Sequence, residues 1–163
     1  MEQKTLIFKF LIIFFLILYS SVSFSEKIIE GKAKIIDGDT IHINKNKIRL
    51  HGIDAPEIKQ TCKIKDKIWN CGIESSLALK KLISNNKISC VVSDIDRYKR
   101  YIAECFINNQ NINELMVRNG WAIAYRYYSL DFIYEEEIAK NNKAGIWKGE
   151  FLEPYLFRKQ QKN

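Results

Sequence analysis

Apolar and polar positions alternate in short stretches along most of the chain, after one unbroken apolar run from Phe10 to Tyr19. Ile28 to Ile36 alternates imperfectly, and Thr40 to Ile43 and Ile48 to Ile53 follow a period of two, which predicts three short strands. Asp37-Gly38-Asp39 separates the first from the second, and Asn44-Lys45-Asn46 has the composition of a tight turn. Ala55-Pro56 ends the third, because proline lacks a ladder donor. Residues 58–71 read as a polar loop. From Gly72 to Asn85 the period lengthens, with Ile73, Leu77, Leu79, Leu82 and Ile83 at helical spacing. Ile88 to Val92 and Tyr101 to Ile107 predict a fourth and fifth strand, joined through Asp94 to Lys99. Asn111 can cap a short helix carrying Ile112, Leu115 and Met116, stopped at Gly120. A last helix is expected from Asp131 to Asn142, with Leu130, Ile133, Tyr134 and Ile138 on one face and Gly145 beyond its end. The tail from Phe151 to Asn163 is aromatic and then basic, and is expected to pack only in part. Strands and helices in this order suit an α+β fold: a five-stranded OB-like β-barrel with about three α-helices.

The opening apolar run changes the picture of where the chain works. Lys4 and Lys9 precede or flank it, and small residues follow, ending Ser23-Phe24-Ser25. That order is the pattern of a secretory signal peptide over residues 1–25, leaving one domain over 26–163. Ten unbroken apolar residues are too few to span a bilayer as a helix. The expected protein is exported, periplasmic or secreted, and meets a membrane only if the segment stays uncleaved as an anchor. The formal charge of +7 falls to +6 when Lys4 and Lys9 leave with Glu2. Such a surplus favours polyanions, either nucleic acid or an anionic membrane surface, though charge alone does not distinguish this from ordinary solubility charge.

Four cysteines, Cys62, Cys71, Cys90 and Cys105, all lie beyond the signal. An even count in an exported chain suggests disulfides. A hairpin centred between Arg97 and Tyr98 would set Cys90 opposite Cys105, within reach of a bridge. Cys62 then pairs with Cys71. No CxxC pair occurs and neither histidine lies near a cysteine, which argues against zinc.

Two segments carry candidate chemistry. One is Asp37-Gly38-Asp39-Thr40, followed by Arg49-Leu50-His51-Gly52-Ile53-Asp54-Ala55-Pro56-Glu57; the other is Asp96-Arg97-Tyr98-Lys99-Arg100. Together they resemble the staphylococcal nuclease (thermonuclease) family. The resemblance extends over residues 28–147, through Asn113-Glu114-Leu115, Gly120-Trp121-Ala122 and Gly145-Ile146-Trp147. It implies a calcium-dependent endonuclease that hydrolyses phosphodiester bonds in DNA and RNA with low sequence specificity and leaves 3′-phosphate ends.

The residue types fit that chemistry. Phosphodiester hydrolysis adds negative charge to the phosphate oxygens and needs an oriented water, so the protein's task is positioning and charge stabilisation. Asp39 and Asp54 are hard oxygen donors suited to Ca²⁺, and the resemblance adds the backbone carbonyl of Ala55 as a third ligand. Glu57, three residues after Asp54 across a proline, is the candidate general base. Arg49 and Arg100 are the candidate phosphate clamps, since a guanidinium donates two parallel hydrogen bonds and stays charged. By resemblance, Arg97 and Tyr98 bind a flanking phosphate, and Tyr125 stacks on or bonds to the nucleotide. Asp37 is expected to order the metal-side turn; His42 and His51 read as structural or surface residues.

Three departures from the family pattern stand out. The turn between Ile43 and Arg49 is shorter than in the founding member. Lys99 stands where glycine is common, so a left-handed backbone there would strain it. The cysteine loop at 62–71 is an elaboration beside Glu57. Two other readings remain at this level: a nucleic-acid-binding module of the same fold without catalysis, and an anchored envelope protein whose basic face meets lipid. No obligate protein partner is implied, and a monomer is expected.

Overall fold

The computed structural model describes residues 26–162. The expected signal peptide, and with it the question of an uncleaved anchor, lies outside the described residues. Among the described residues no helix is long and apolar enough to cross a membrane.

Strand β1 (Lys27–Ile35) pairs antiparallel with β2 (Thr40–Ile43), and β2 with β3 (Asn46–Leu50). On its other edge β1 pairs with β7 (Lys87–Ile95), which pairs in turn with β8 (Tyr101–Ile107), and β8 with the short β9 (Gln110–Asn111). A parallel pairing of β3 with β8 joins the two ends, so the order β3-β2-β1-β7-β8 closes into a five-stranded barrel. Closure removes the free edges that an open sheet would present. The inward faces supply Ile29, Ile41, Ile43, Ile48, Leu50, Ile88, Cys90, Ala103 and Cys105, which form one buried core. Each fully buried isoleucine or leucine there contributes about 1.5–3 kcal/mol.

The predicted third strand is in fact two. β3 stops at Leu50, and β4 (Ile53–Asp54) resumes after a turn at His51-Gly52 to pair with β10 (Ile123–Ala124) rather than with the barrel. Gly52 makes the break possible. Its φ is +71°, and a Cβ there would meet the Phe132 ring at 2.9 Å. The turn swings Asp54 out of the barrel sheet toward the loop that carries Asp39.

The loop read as polar over 58–71 holds a small hairpin of its own, β5 (Cys62–Ile64) with β6 (Lys67–Trp69). Cys62 bonds to Cys71 across it, and Cys90 bonds to Cys105 between directly opposed positions of β7 and β8. The β7–β8 loop is centred on Tyr98, not between Arg97 and Tyr98. A bulge at Ser93 adds one residue to β7, since Val92 faces Ala103 while Asp94 faces Ile102. The cysteines lie on the far side of that bulge, so their register is unaffected.

Four α-helices occur among the described residues, one more than expected. Helix α1 (Cys71–Ile83) packs on the barrel with Ser75, Leu79 and Ile83; Ile73 and Leu77 face outward. Helix α2 (Ile112–Arg118) begins at Asn111, whose side chain accepts from the amides of Asn113 and Glu114. This is the expected cap. Helix α3 (Ile133–Asn141) buries Phe132, Glu136 and Ala139 along one stripe, so Leu130 and Tyr134, expected inside, are exposed. The fourth helix, α4 (Pro154–Gln160), lies in the tail, with proline in its first turn, where a missing amide hydrogen costs nothing. A second, smaller core under the cysteine hairpin contains Cys62, Cys71, Ile123 and Ile146, with Trp69, Trp147 and Phe151 packed against it.

Candidate active site

The site is assembled at the loop between β1 and β2. The Asp37 carboxylate accepts the Asp39 amide at 3.0 Å, which folds the loop back on itself. Gly38 lies under α1, where a Cβ would meet Ser75 Oγ at 2.1 Å, so the loop is pressed against the helix. Asp39 is 2% exposed. Its Oδ1 accepts from Thr40 Oγ1 at 3.0 Å and from Arg49 Nη1, and its Oδ2 accepts the Ala55 amide at 2.8 Å. The β2–β3 register, with Thr40 opposite Arg49, sets that arginine beside Asp39.

Arg49 then bridges to the second carboxylate. Its Nη2 donates to Asp54 Oδ1 at 2.8 Å and lies 3.3 Å from the Ile53 carbonyl oxygen. Asp54 is fully buried. Glu57 follows across Pro56 and is held by Gln60: the Glu57 amide lies 3.3 Å from Gln60 Oε1, and the Gln60 amide donates to the Glu57 carbonyl at 2.7 Å. The Glu57 side chain is one-third exposed.

A residue that sequence reading did not select completes this cluster. Arg158 of α4 donates from Nη1 to Asp54 Oδ1 at 2.8 Å and to Glu57 Oε1 at 2.9 Å, and from Nη2 to Asp54 Oδ2 at 3.0 Å. One weak signal pointed to it: the chain has 26 Lys and Arg together, and only six are arginine. In so lysine-rich a chain, an arginine marks a place where planar, bidentate geometry is used.

Burial and crowding set the charges. Asp37 is pushed up to about 7 by burial and by the neighbouring Asp39. Burial also raises Asp54, with the Arg158 hydrogen bonds pulling the other way. Burial disfavours the Arg49 charge, but Asp39 and Asp54 more than restore it and hold the guanidinium above its ordinary value. The result is a pair of buried carboxylates bridged by the Arg49 guanidinium, with Thr40 and the Ala55 amide also donating to Asp39 and Arg158 to Asp54. Among the described residues no three His, Cys, Asp or Glu side chains cluster as a ready metal cage. Two hard carboxylates with a neighbouring backbone do fit a calcium ion that takes its remaining oxygens from carbonyl, water and phosphate.

Arg100, Arg97 and Tyr98 form a separate unit on the β7–β8 loop. Asp96 accepts the Tyr98 and Arg100 amides, each at 2.9 Å, and the Arg100 side chain at 2.7 Å. Arg97 and Arg100 both lie over the Tyr98 ring, at 4.9 and 5.5 Å. Lys99 has φ +61°, the left-handed conformation that strains it. Arg100 touches neither aspartate of the first cluster. It immediately precedes β8 and is two residues before Ile102, the β8 partner of Arg49.

Tyr125 follows β10, and its amide donates to the Gly52 carbonyl at 2.8 Å. Burial and the nearby Asp54 raise its hydroxyl above the usual value, with Arg158 opposing. Tyr127 and Tyr128 extend the aromatic surface; Tyr128 meets the Tyr125 ring edge-on at 5.0 Å, and Tyr127 is 82% exposed. His51 is 3.4 Å from Asp131. His42 sits half-exposed on β2, opposite Lys34 and Lys47.

The sequence matches known proteins across this region. The family model described as "Staphylococcal nuclease homologue" matches residues 47–149. An uncharacterized endonuclease of Haemophilus influenzae is 36% identical over 137 residues, 79% of this chain and 72% of that protein. A micrococcal nuclease of Shigella flexneri is 31% identical over 149 residues, 80% of each chain. A protein of Oryza sativa named as a probable staphylococcal-like nuclease is 34% identical over 139 residues, or 82% of this chain. The chain spans only about a third of that rice protein's length, 34%.

Proposed function

The chain belongs to the staphylococcal nuclease family, and from that premise we propose that it is a calcium-dependent endonuclease acting on DNA and RNA. The observation that carries this reading is the convergence of Asp39, Arg49, Asp54 and Glu57 within one hydrogen-bonded cluster. Calcium held by the Asp39 and Asp54 carboxylates and the Ala55 carbonyl would supply positive charge against the phosphate oxygens.

The chain's own residues do the rest. Glu57 orients a water and takes its proton as the water oxygen bonds to phosphorus. The P–O5′ bond breaks, the 5′ oxygen leaves and takes a proton, and the phosphate remains on the 3′ side. Arg49, steadied by two carboxylates, donates to the phosphate oxygens as their charge grows. Arg100 approaches from the β7–β8 loop as the second clamp, with Arg97 and Tyr98 on a flanking phosphate. Tyr125 and its neighbours offer a stacking surface that accepts any base, which suits low sequence specificity. The two disulfides suit an oxidising compartment, so the protein is proposed to act after export, in periplasm or medium, as a monomer.

The test is digestion of single-stranded DNA by the purified protein lacking residues 1–25, with Ca²⁺ and with chelator. Glu57→Ser and Arg100→Ala are run beside it. Cleavage should need Ca²⁺, leave 3′-phosphate ends and fall by about a hundredfold or more in each variant. Tight binding without cleavage under any divalent ion would favour a binding module instead.

A further inference from the structure

One carboxylate that would meet the cation, Asp54, and the candidate base Glu57 are both engaged by a guanidinium that comes from outside the barrel. Arg158 contacts both oxygens of Asp54 and one of Glu57. It therefore sits on a metal ligand and on the general base at once. A divalent cation on Asp54 and a guanidinium bidentate on the same carboxylate repel, and a base that is hydrogen-bonded to an arginine is poorly placed to accept a proton from water.

The element that delivers Arg158 is held at one end. Just before α4, the Glu150 amide donates to the Lys63 carbonyl at 2.7 Å, the Glu150 carbonyl accepts the Lys63 amide at 2.8 Å, and Gln60 Nε2 donates to the Leu152 carbonyl at 2.6 Å. Phe151 lies against Trp147, ring to ring at 4.9 Å. Beyond that anchor the helix has little under it. Pro154 is its one buried residue, Phe157 is half-buried, and Tyr155 and Leu156 are exposed. Its far end is fastened to Asp54 and Glu57 by the Arg158 hydrogen bonds.

We propose that α4 is an autoinhibitory latch: Arg158 occupies Asp54 and Glu57, and must release them before a divalent cation can be shared between Asp39 and Asp54. The proposal rests on the reading of those residues as the metal and base site. The anchor at residues 150–152 lets the helix swing without leaving the protein, and the released guanidinium stays close to the anionic substrate.

Calcium titration by calorimetry, without nucleic acid, tests this on the full protein after removal of residues 1–25. Arg158→Gln should bind Ca²⁺ about tenfold or more tightly, because the closed form no longer competes. Lys159→Gln removes the same charge one residue on, from an exposed position, and should change affinity less than about twofold. Hydrogen exchange of the unsubstituted protein gives a second readout. Amides of residues 155–160 should exchange faster once Ca²⁺ is added. Equal calcium affinity in unsubstituted and Arg158→Gln proteins, or unchanged exchange in 155–160 on calcium binding, overturns the latch and leaves the site reading intact. Calcium bound by neither protein overturns both.

Discussion

Lys99 shows how a single residue can carry strain beside a site. Its φ of +61° is forced by the three-residue loop that closes β7 onto β8, where Asp96 and Arg100 pair and the residue before Arg100 must turn left-handed. A side chain there costs about 1–2 kcal/mol, while glycine's extra freedom in the unfolded chain offsets about 0.4–1 kcal/mol of any gain. Lys99→Gly is expected to raise stability by about 0.5–1 kcal/mol in urea unfolding. A loss instead would mean that the lysine side chain makes a compensating contact. The strain was foreseeable from the sequence only as a condition, because nothing in Asp96-Arg97-Tyr98-Lys99-Arg100 gives the loop length. The bulge at Ser93 decides it. Arg158 is the opposite case. Its type is distinctive, but its target lies about a hundred residues away in the chain, and local sequence carries no such address.

At the level of elements, one buried carboxylate ties α3 to the strand that supports Asp54. Glu136 accepts from Arg126 at 3.1 and 2.6 Å, from Lys140 at 2.6 Å and from the Ala124 amide at 3.1 Å. Burial pushes Glu136 up, but the Arg126 and Lys140 hydrogen bonds outweigh it and hold the carboxyl below its ordinary 4.5. Its folded-state value is therefore depressed. The stability it contributes is present above about pH 4.5 and is lost as pH falls through the lower folded value. Glu136→Gln is expected to lower stability by about 1.5–3 kcal/mol at neutral pH, the worth of hydrogen bonds to a charged group. The gap to the unsubstituted protein should close on acidification. Thermal unfolding from pH 3 to 7 checks this, and a gap that stays constant with pH would contradict it. Periodicity identified α3 but chose the wrong stripe, since Leu130 and Tyr134 are exposed while Glu136 is buried. A hydrophobicity pattern cannot anticipate a buried acid two of whose partners, Arg126 and the Ala124 amide, come from outside its helix.

Across the whole molecule the two disulfides do different work. Cys90–Cys105 joins opposed strands inside the barrel core, whereas Cys62–Cys71 closes the hairpin on which residues 150–152 are anchored. Replacing Cys90 and Cys105 together by alanine should cost the barrel about 3 kcal/mol in urea unfolding. Replacing Cys62 and Cys71 by serine should loosen residues 150–160 in hydrogen exchange while leaving the β7–β8 amides protected. Equal effects on both regions would mean that the hairpin and barrel unfold as one unit. The sequence by itself determined the strand-rich barrel, the capped α2, the cysteine pairing and the candidate residues Asp39, Arg49, Asp54 and Glu57 that lie together in the cluster. All of these rest on local periodicity, local turn chemistry or motifs of fixed spacing. Tertiary structure alone decided that the third strand breaks at Gly52 to carry Asp54 to Asp39, that Glu136 is buried, and that the tail folds back to set Arg158 on Asp54 and Glu57. Those outcomes depend on barrel closure and on which distant surfaces meet, and contacts between distant segments leave no period in the chain.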